Sequence, residues 1–229
     1  MDDGEHTAAI VDIDGTLVDS NYQHALAWYR ALRDHDITVE MRRVHRHVGM
    51  GGDQLVEALA GAAVEERHGD SLRAAEKEHY AALIDEVVAL PGAHDLLRAL
   101  RRRMRRVVLA SSAPPDDAER YLDLVDGRDL VDGWTTSGDV DATKPEPDLL
   151  HVALEMVGGT PAVMIGDSIW DCEAANRAGL PSVGVLTGGT GAGELVAAGA
   201  AAVFDTLADL TAGLGEPPFR AEGRHVGPA

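Results

Sequence analysis

Residues 8–20 read Ala8-Ala9-Ile10-Val11-Asp12-Ile13-Asp14-Gly15-Thr16-Leu17-Val18-Asp19-Ser20. The apolar run from Ala8 to Val11 predicts a buried strand. It ends in two carboxylates on alternate positions, Asp12 and Asp14, and then in Gly15, a residue that lets a chain turn sharply. Carboxylates at the end of a buried strand are costly unless a cation is near. The carboxyl end of a parallel strand is also where open α/β sheets hold ligands. A hard divalent ion such as Mg²⁺, held by one or two carboxylates and a substrate phosphate, accounts for both facts. A strand that simply ends in an acidic turn is the plainer account of these residues alone.

Working outward, residues 21–88 carry helical periodicity and no convincing strand. Ala25, Leu26, Trp28, Tyr29 and Leu32 mark one helix, and Leu55, Val56, Leu59 and Val64 a second over 53–67. A third is expected over 72–88, stopping before Pro91-Gly92. From Pro91 the pattern alternates. Strands are expected at 107–110, 134–136, 162–165, 182–186 and 202–204, with helices between them. Such alternation predicts a parallel sheet with helices on both faces. The expected organisation is an α/β, Rossmann-like core over residues 1–18 and 90–212, with an all-helical insert at 19–89. A Gly- and Pro-rich tail at 213–229 is expected to be poorly ordered.

The chain has 229 residues, with 39 acidic against 20 basic and a formal charge of −19. A surface so acidic repels nucleic acid and anionic membrane, so neither is an expected partner. No stretch approaches the length of a membrane helix, and residues 1–6 do not resemble a signal peptide. The one cysteine, Cys172, allows no internal disulfide, and a reducing cytoplasm is the simplest compartment. An acidic surface fits a monomer or a homodimer equally well. Lysine is scarce: Lys77 and Lys144 stand against many arginines. Lys77 sits among glutamates and reads as chance.

Four places at the ends of the expected strands share one chemical theme: Asp12 and Asp14, Ser111-Ser112, Lys144-Pro145, and Gly166-Asp167-Ser168 followed by Asp171. In a parallel sheet these ends meet at one edge. Together they offer metal-ligating carboxylates, hydroxyl and N–H donors, and one cation. Phosphoryl transfer needs that inventory, because its barrier falls mainly by positioning and charge neutralisation. Read singly, Ser111 could cap a helix, Asp171 could suit a helix dipole, and Lys144 could be a solvated loop lysine.

On Asp12-Ile13-Asp14-Gly15-Thr16, Ser111, Lys144-Pro145 and Gly166-Asp167-Ser168-Ile169-Trp170-Asp171, the chain resembles the haloacid dehalogenase-like hydrolases, in the branch with a helical cap. The resemblance implies Asp12 as the nucleophile and Asp14 as general acid and then base. It implies Mg²⁺ between Asp12, the backbone carbonyl of Asp14 and Asp167, with Asp171 as a further ligand or support. Gly15, Thr16, Ser111, Ser112 and Lys144 would contact the phosphoryl group. The Gly15 and Ser112 N–H groups are expected to face its oxygens. The insert becomes a cap that opens and closes over a small phosphorylated metabolite. His24, in the hinge, and Arg46 and His47, in the cap, are expected to contact substrate. Dehalogenases of this family lack the second aspartate, so Asp14 points away from them. Phosphonate-cleaving relatives place a lysine in the cap near 49–53, where this chain has none. The reading favoured is a Mg²⁺-dependent phosphatase similar to phosphoglycolate phosphatases. A sugar-phosphate mutase of the β-phosphoglucomutase type is second, and a non-catalytic phosphate-binding module third.

The run Arg101–Arg106 suits the last turn of a helix better than a nucleic-acid patch. Gly188–Gly193 lacks a Walker lysine and reads as a loop near the cap. Substitutions within 44–53 should reorder a panel of phosphate esters by kcat/KM; equal losses on every ester would contradict a substrate-reading role for that stretch.

Overall fold

A computed structural model of the chain describes residues 8–219. Six strands form one sheet: β1 (Ala8–Val11), β2 (Val107–Ala110), β3 (Gly133–Thr135), β4 (Ala162–Gly166), β5 (Ser182–Val185) and β6 (Ala200–Phe204). Their order is β3-β2-β1-β4-β5-β6, and every pairing is parallel. The chain builds outward from β1 to one side, then returns and builds from β4 to the other. The direction reverses beside β1, so the crevice at its carboxyl end is the place for a ligand.

The apolar runs are continuous because both faces of the sheet are covered. Ala9, Val11, Val107, Leu109, Val163 and Ile165 point to one face, into a core shared with α5 (Ala93–Arg103), α6 (Pro115–Leu124) and α10 (Leu207–Gly213). Ala8, Ile10, Val108, Ala110 and Met164 point to the other, onto Leu150 and Ala153 of α7 (Asp148–Met156) and Ala174 and Ala175 of α8 (Ile169–Arg177). The last helix to be placed, α9 (Ala192–Ala197), precedes β6.

Between β1 and β2 lie α1 (Asn21–Asp34), α2 (Met41–His45), α3 (Gly52–Ala60) and α4 (Ala62–Ala81). They bury an apolar cluster of their own, with Trp28, Leu32, Val44, Leu55, Val56 and Leu72. The two chain crossings into this block are joined: Asp19 N–H donates to Val88 O and Leu90 N–H to Leu17 O, each at 2.9 Å.

Three expectations need correction. The break between the second and third helices falls at Gly61, not between 67 and 72. Gly61 has φ 90°, a left-handed conformation that glycine adopts without strain, and α4 runs on through the buried Gly69. No helix was expected at 207–213, yet α10 forms there, capped by Thr206, whose hydroxyl accepts the Asp209 N–H at 3.1 Å. The tail expected to be loose from 213 is packed as far as it is described. Leu214 is 3% and Phe219 4% exposed, both within the main core. An aromatic and an aliphatic side chain among the glycines and prolines outweigh the composition. Residues 220–229 lie outside the described residues.

Phe219→Ala should therefore lower stability by about 3 kcal/mol, the low end for emptying a buried aromatic site. Chemical denaturation measures it, and an unchanged midpoint would mean the segment contributes nothing to the core.

Candidate active site

The four strand-end groups converge at the carboxyl edge. Asp12 follows β1 directly and is 5% exposed. Lys144, on the segment before α7, is 1% exposed. Its Nζ forms an ion pair with Asp12 Oδ1, donates to the Ala110 carbonyl at 2.9 Å, and lies 2.8 Å from Asp171 Oδ1. Asp167 ends the turn after β4. One oxygen each of Asp12, Asp167 and Asp171 lies within 4.8 Å of the others.

These carboxylates are fixed from behind. Thr16 Oγ1 donates to Asp167 Oδ1 at 2.9 Å and stands 3.2 Å from Asp12 Oδ2. Asp171 Oδ2 accepts the Ser168 hydroxyl at 2.6 Å and the Ser168 N–H at 3.1 Å, while the Asp171 N–H donates back to Ser168 Oγ. That reciprocal cap starts α8 and aims the other Asp171 oxygen at Lys144. Gly15, at φ 73°, turns the chain beneath Asp167. An added Cβ there would stand 2.6 Å from Asp167 Oδ2.

Burial pushes Asp12 above the ordinary carboxylate range; the Lys144 charge opposes this, and Asp171, Asp167 and Asp14 add to it. Burial also lifts Asp167, to about 7, with Asp171 as the repelling neighbour. For Lys144 burial disfavours the charge, yet Asp12 and Asp171 more than offset it and hold the ammonium protonated.

Asp14 belongs to a second network. It accepts the Ser20 hydroxyl at 2.6 Å and the Ser111 hydroxyl at 3.2 Å, and His24 Nε2 lies 3.4 Å from its Oδ1. His24 Nδ1 reaches Glu76 Oε1 of α4 at 3.1 Å, and its ring stacks on Tyr80 at 3.8 Å between centroids. Burial opposes ionisation at both groups. The hydrogen bonds and charges win, so Asp14 falls below its ordinary value and His24 rises to about 10.

A cavity of about 370 Å³ opens over Asp12 and Asp14. Its core side includes Ser112, Asp141 and Thr143, and its roof comes from the helical block, with Trp28, Met50 and Lys77. Not all of the expected residues reach it. Ser112 does, and its buried hydroxyl has no partner among the described residues. The Ser111 hydroxyl is already used on Asp14 and by the Ala113 N–H at 2.9 Å. The Gly15 N–H, expected to face phosphate, donates instead to Val18 O at 2.9 Å, closing its own turn. Thr16 is fully buried behind the carboxylates.

Arg46 and His47 are outside the cavity, which corrects the substrate contact expected of them. Arg46 pairs with Glu194, its carbonyl accepts the Trp170 indole N–H at 3.2 Å, and His47 packs beside the Trp170 ring. These contacts seal a different seam, between the block and the first turns of α8 and α9. No local pattern singles out Asn21, whose Nδ2 donates to Asp167 Oδ2 at 2.8 Å and to Gly188 O at 3.2 Å. None marks Glu76 either, and Lys77 reads as chance in the sequence, although Lys77 stands in the cavity wall. The basic run before β2 is structural: Arg101 and Arg106 reach Asp132 at 3.2 and 2.8 Å.

The model of the haloacid dehalogenase-like hydrolases matches residues 6–179. The chain belongs to this family of hydrolases. A phosphoglycolate phosphatase of Pseudomonas putida is 32% identical over 215 residues, 90% of this chain and 79% of that protein. A validoxylamine A 7'-phosphate phosphatase of Streptomyces hygroscopicus subsp. limoneus is 30% identical over 190 residues, 80% and 86% of the two chains. The crystal structure of a hydrolase from Pseudomonas syringae superposes with a TM-score of 0.85 at 35% identity, covering 92% of this chain and 99% of that one. The sheet order and the helical block after β1 are thus those of a haloacid dehalogenase-like hydrolase. No described helix is long and apolar enough to cross a membrane.

The raised His24 value carries a pH signature in this hydrolase. Its folded-state pKa of about 10 exceeds the ordinary 6.5, so its stabilisation is complete below about pH 6.5 and is lost as pH rises through 10. Wild type should lose on the order of a few kcal/mol between pH 7 and 10 that His24→Asn does not lose. Urea melts of both proteins across that range measure the difference; parallel curves would remove His24 as its source.

Proposed function

We propose that the chain is a Mg²⁺-dependent phosphatase of small phosphate monoesters, working through an aspartyl-phosphate on Asp12. One observation carries the reading: a buried ammonium, Lys144, is held against Asp12 and Asp171 at the floor of a cavity that opens on both aspartates of the first turn. The curated relatives described above are phosphatases by name.

The residues fit a hard divalent ion. Three buried carboxylates offer oxygens within 4.8 Å of one another, and Asp167 is pushed to about 7 by burial and then by the Asp171 charge, both of which a bound cation would relieve. Asp12, Asp167 and Asp171, with the backbone carbonyl of Asp14, are the groups that would hold Mg²⁺. Bound there, Mg²⁺ would neutralise charge on the carboxylates and on the phosphoryl oxygens.

Asp12 acts as the nucleophile: its oxygen attacks phosphorus as the bond to the leaving oxygen breaks. Lys144, fixed on Asp12, neutralises the charge that gathers on the transferring group. The free Ser112 hydroxyl is the side-chain donor turned to the same space. The leaving oxygen takes a proton delivered through Asp14. Asp14 itself is held ionised, and the proton resides on His24, 3.4 Å away. In the second half Asp14 accepts a proton from water as that water attacks the aspartyl-phosphate, which releases phosphate and restores Asp12. The roof contributed by the helical block excludes other water while this proceeds. Its loop 49–52 holds no arginine for a second phosphate. Arg73, beneath that loop, is committed to Glu65, Asp70 and the Gly52 carbonyl. This supports hydrolysis over the mutase reading.

Phosphate release should be measured on phosphoglycolate, hexose phosphates, nucleotides and p-nitrophenyl phosphate, with and without Mg²⁺. Turnover is expected only with Mg²⁺ and is expected to vanish in Asp12→Asn. His24→Asn should lose about tenfold more on alkyl esters than on the aryl ester, whose leaving group needs no proton. A folded protein that releases no phosphate from any ester, or an Asp12→Asn variant as active as wild type, would overturn the reading.

A further inference from the structure

The sequence makes residues 44–53 the substrate-reading stretch, but Asp53, its last member, is committed elsewhere. Asp53 stands in the first turn of α3, and both of its carboxylate oxygens reach across to one core residue. Oδ2 accepts the Thr143 N–H at 3.1 Å, and Oδ1 accepts the Thr143 hydroxyl. Thr143 immediately precedes Lys144. Two residues before Asp53, the Gly51 N–H donates to the Lys144 carbonyl at 3.4 Å. The approach is close: an added Cβ at Gly51 would stand 2.5 Å from Asp53 Oδ1 and from Thr143 Cβ. The segment so gripped lies between the short helical turn at Ser137–Asp139 and α7, outside any strand or helix.

We infer that Asp53 is a positioning residue: with the helical block seated, it clamps the Thr143–Lys144 backbone and so keeps the Lys144 ammonium on Asp12. A lysine has four rotatable side-chain bonds. Its charge stays on one oxygen only if both ends are held. Asp12, Ala110 O and Asp171 hold the ammonium. The Asp53 carboxylate and Gly51 hold the backbone end. The clamp spans the seam between block and core, so the lysine is fully set only when the roof is closed. The inference rests on the phosphatase reading for its kinetic consequences, though not for its geometry. Lys144 touches the nucleophile and not the leaving group. Losing the clamp must therefore slow every substrate alike, whereas changing a cavity-lining residue such as Met50 must reorder them.

The chain's two lysines make a direct test possible. Limited acylation followed by peptide mass spectrometry would report Lys144 and Lys77 separately, in wild type, Asp53→Ala, Thr143→Val and Thr143→Ser. Lys144 is 1% exposed and should be protected in wild type, while the exposed Lys77 serves as the internal reference. Asp53→Ala should raise Lys144 labelling about tenfold relative to Lys77, Thr143→Val by less, and Thr143→Ser should restore protection. Should Asp53→Ala fail to fold, Thr143→Val against Thr143→Ser decides the same point. In parallel, kcat on three esters should fall in Asp53→Ala by about 10- to 100-fold, by the same factor on each and with little change in KM. The double variant Asp53→Ala/Thr143→Val should be no worse than Asp53→Ala alone. Lys144 protection unchanged in folded Asp53→Ala, or losses that reorder the esters, would overturn the clamp. A wild type that hydrolyses nothing would overturn the phosphatase reading instead, and the labelling would still decide the clamp.

Discussion

The ion pair between Lys144 and Asp12, with Asp171 as the second anion, is the constraint on which the rest of the catalytic edge depends. A buried ammonium or carboxylate is tolerable only when paired and hydrogen-bonded, and removing one partner leaves an uncompensated charge that costs several kcal/mol. The edge is built to avoid that. Lys144 finds three oxygens, drawn from the ends of β1 and β2 and from the start of α8. Each of those groups is itself fixed: Asp12 beside the Thr16 hydroxyl, Ala110 within the sheet, Asp171 by Ser168. Small residues allow the approach. A Cβ on Gly166 would collide with Asp171, and one on Gly188 with Asp167. Burial first, and then the neighbouring aspartates, raise Asp12 and Asp167 above the ordinary carboxylate range, so the cluster is an acidic site one cation short of balance.

The second aspartate is treated in the opposite way, two residues from the first. Asp14 is somewhat more open, its side chain 13% exposed, and it accepts from two hydroxyls and faces His24, whose other nitrogen is anchored on Glu76. One carboxylate is thus lifted and its neighbour lowered. Environments that push titrating groups apart suit a division of labour, which the proposed mechanism assigns as nucleophile and proton carrier. The division comes from the surroundings, since the two side chains are chemically identical.

Much of the fold was legible because the signals are local and repeated. Apolar runs of four or five residues on strands covered on both faces can be read without knowing their neighbours, and all six were found. The floor of the site was legible for the same reason: Asp12, Asp14 and Asp167 sit at strand ends, with Asp171 in the helix turn and Lys144 in the loop that follow such ends, and a parallel sheet brings those ends together whatever the intervening chain does. The roof was not. Whether Arg46 or Trp28 faces the cavity depends on how four short helices pack on one another and on the core, and nothing local records that. Arg46 and His47 looked functional by residue type and were spent on Glu194 and Trp170. Asn21, Glu76 and Thr143 looked ordinary, yet they are the partners that fix Asp167, His24 and the Lys144 segment. Supporting residues of this kind carry no motif, because their role exists only as a pairing across long sequence distances. The packing of the tail as far as residue 219 was hidden for a related reason: Leu214 and Phe219 are two buried side chains in a composition that otherwise reads as loose.

The helical block does more than cover a finished site. Of the two networks at the edge, each is completed by a side chain from the block: Glu76 reaches His24 and through it Asp14, and Asp53 reaches Thr143 beside Lys144. Both are carboxylates, added to an edge that already has an excess of them. Each is neutralised locally, one by a protonated imidazole and the other by a hydroxyl and an N–H donor. Neither therefore adds to the repulsion around Asp12. If the block moves away, His24 and Glu76 leave together, so Asp14 loses its protonated partner, and the Lys144 segment loses its outer support. The proton carrier and the cation would then relax together. Under the proposed phosphatase reading, the acid and the charge neutraliser would assemble in the same motion that excludes water, so hydrolysis would require the closed state for electrostatic reasons as well as steric ones.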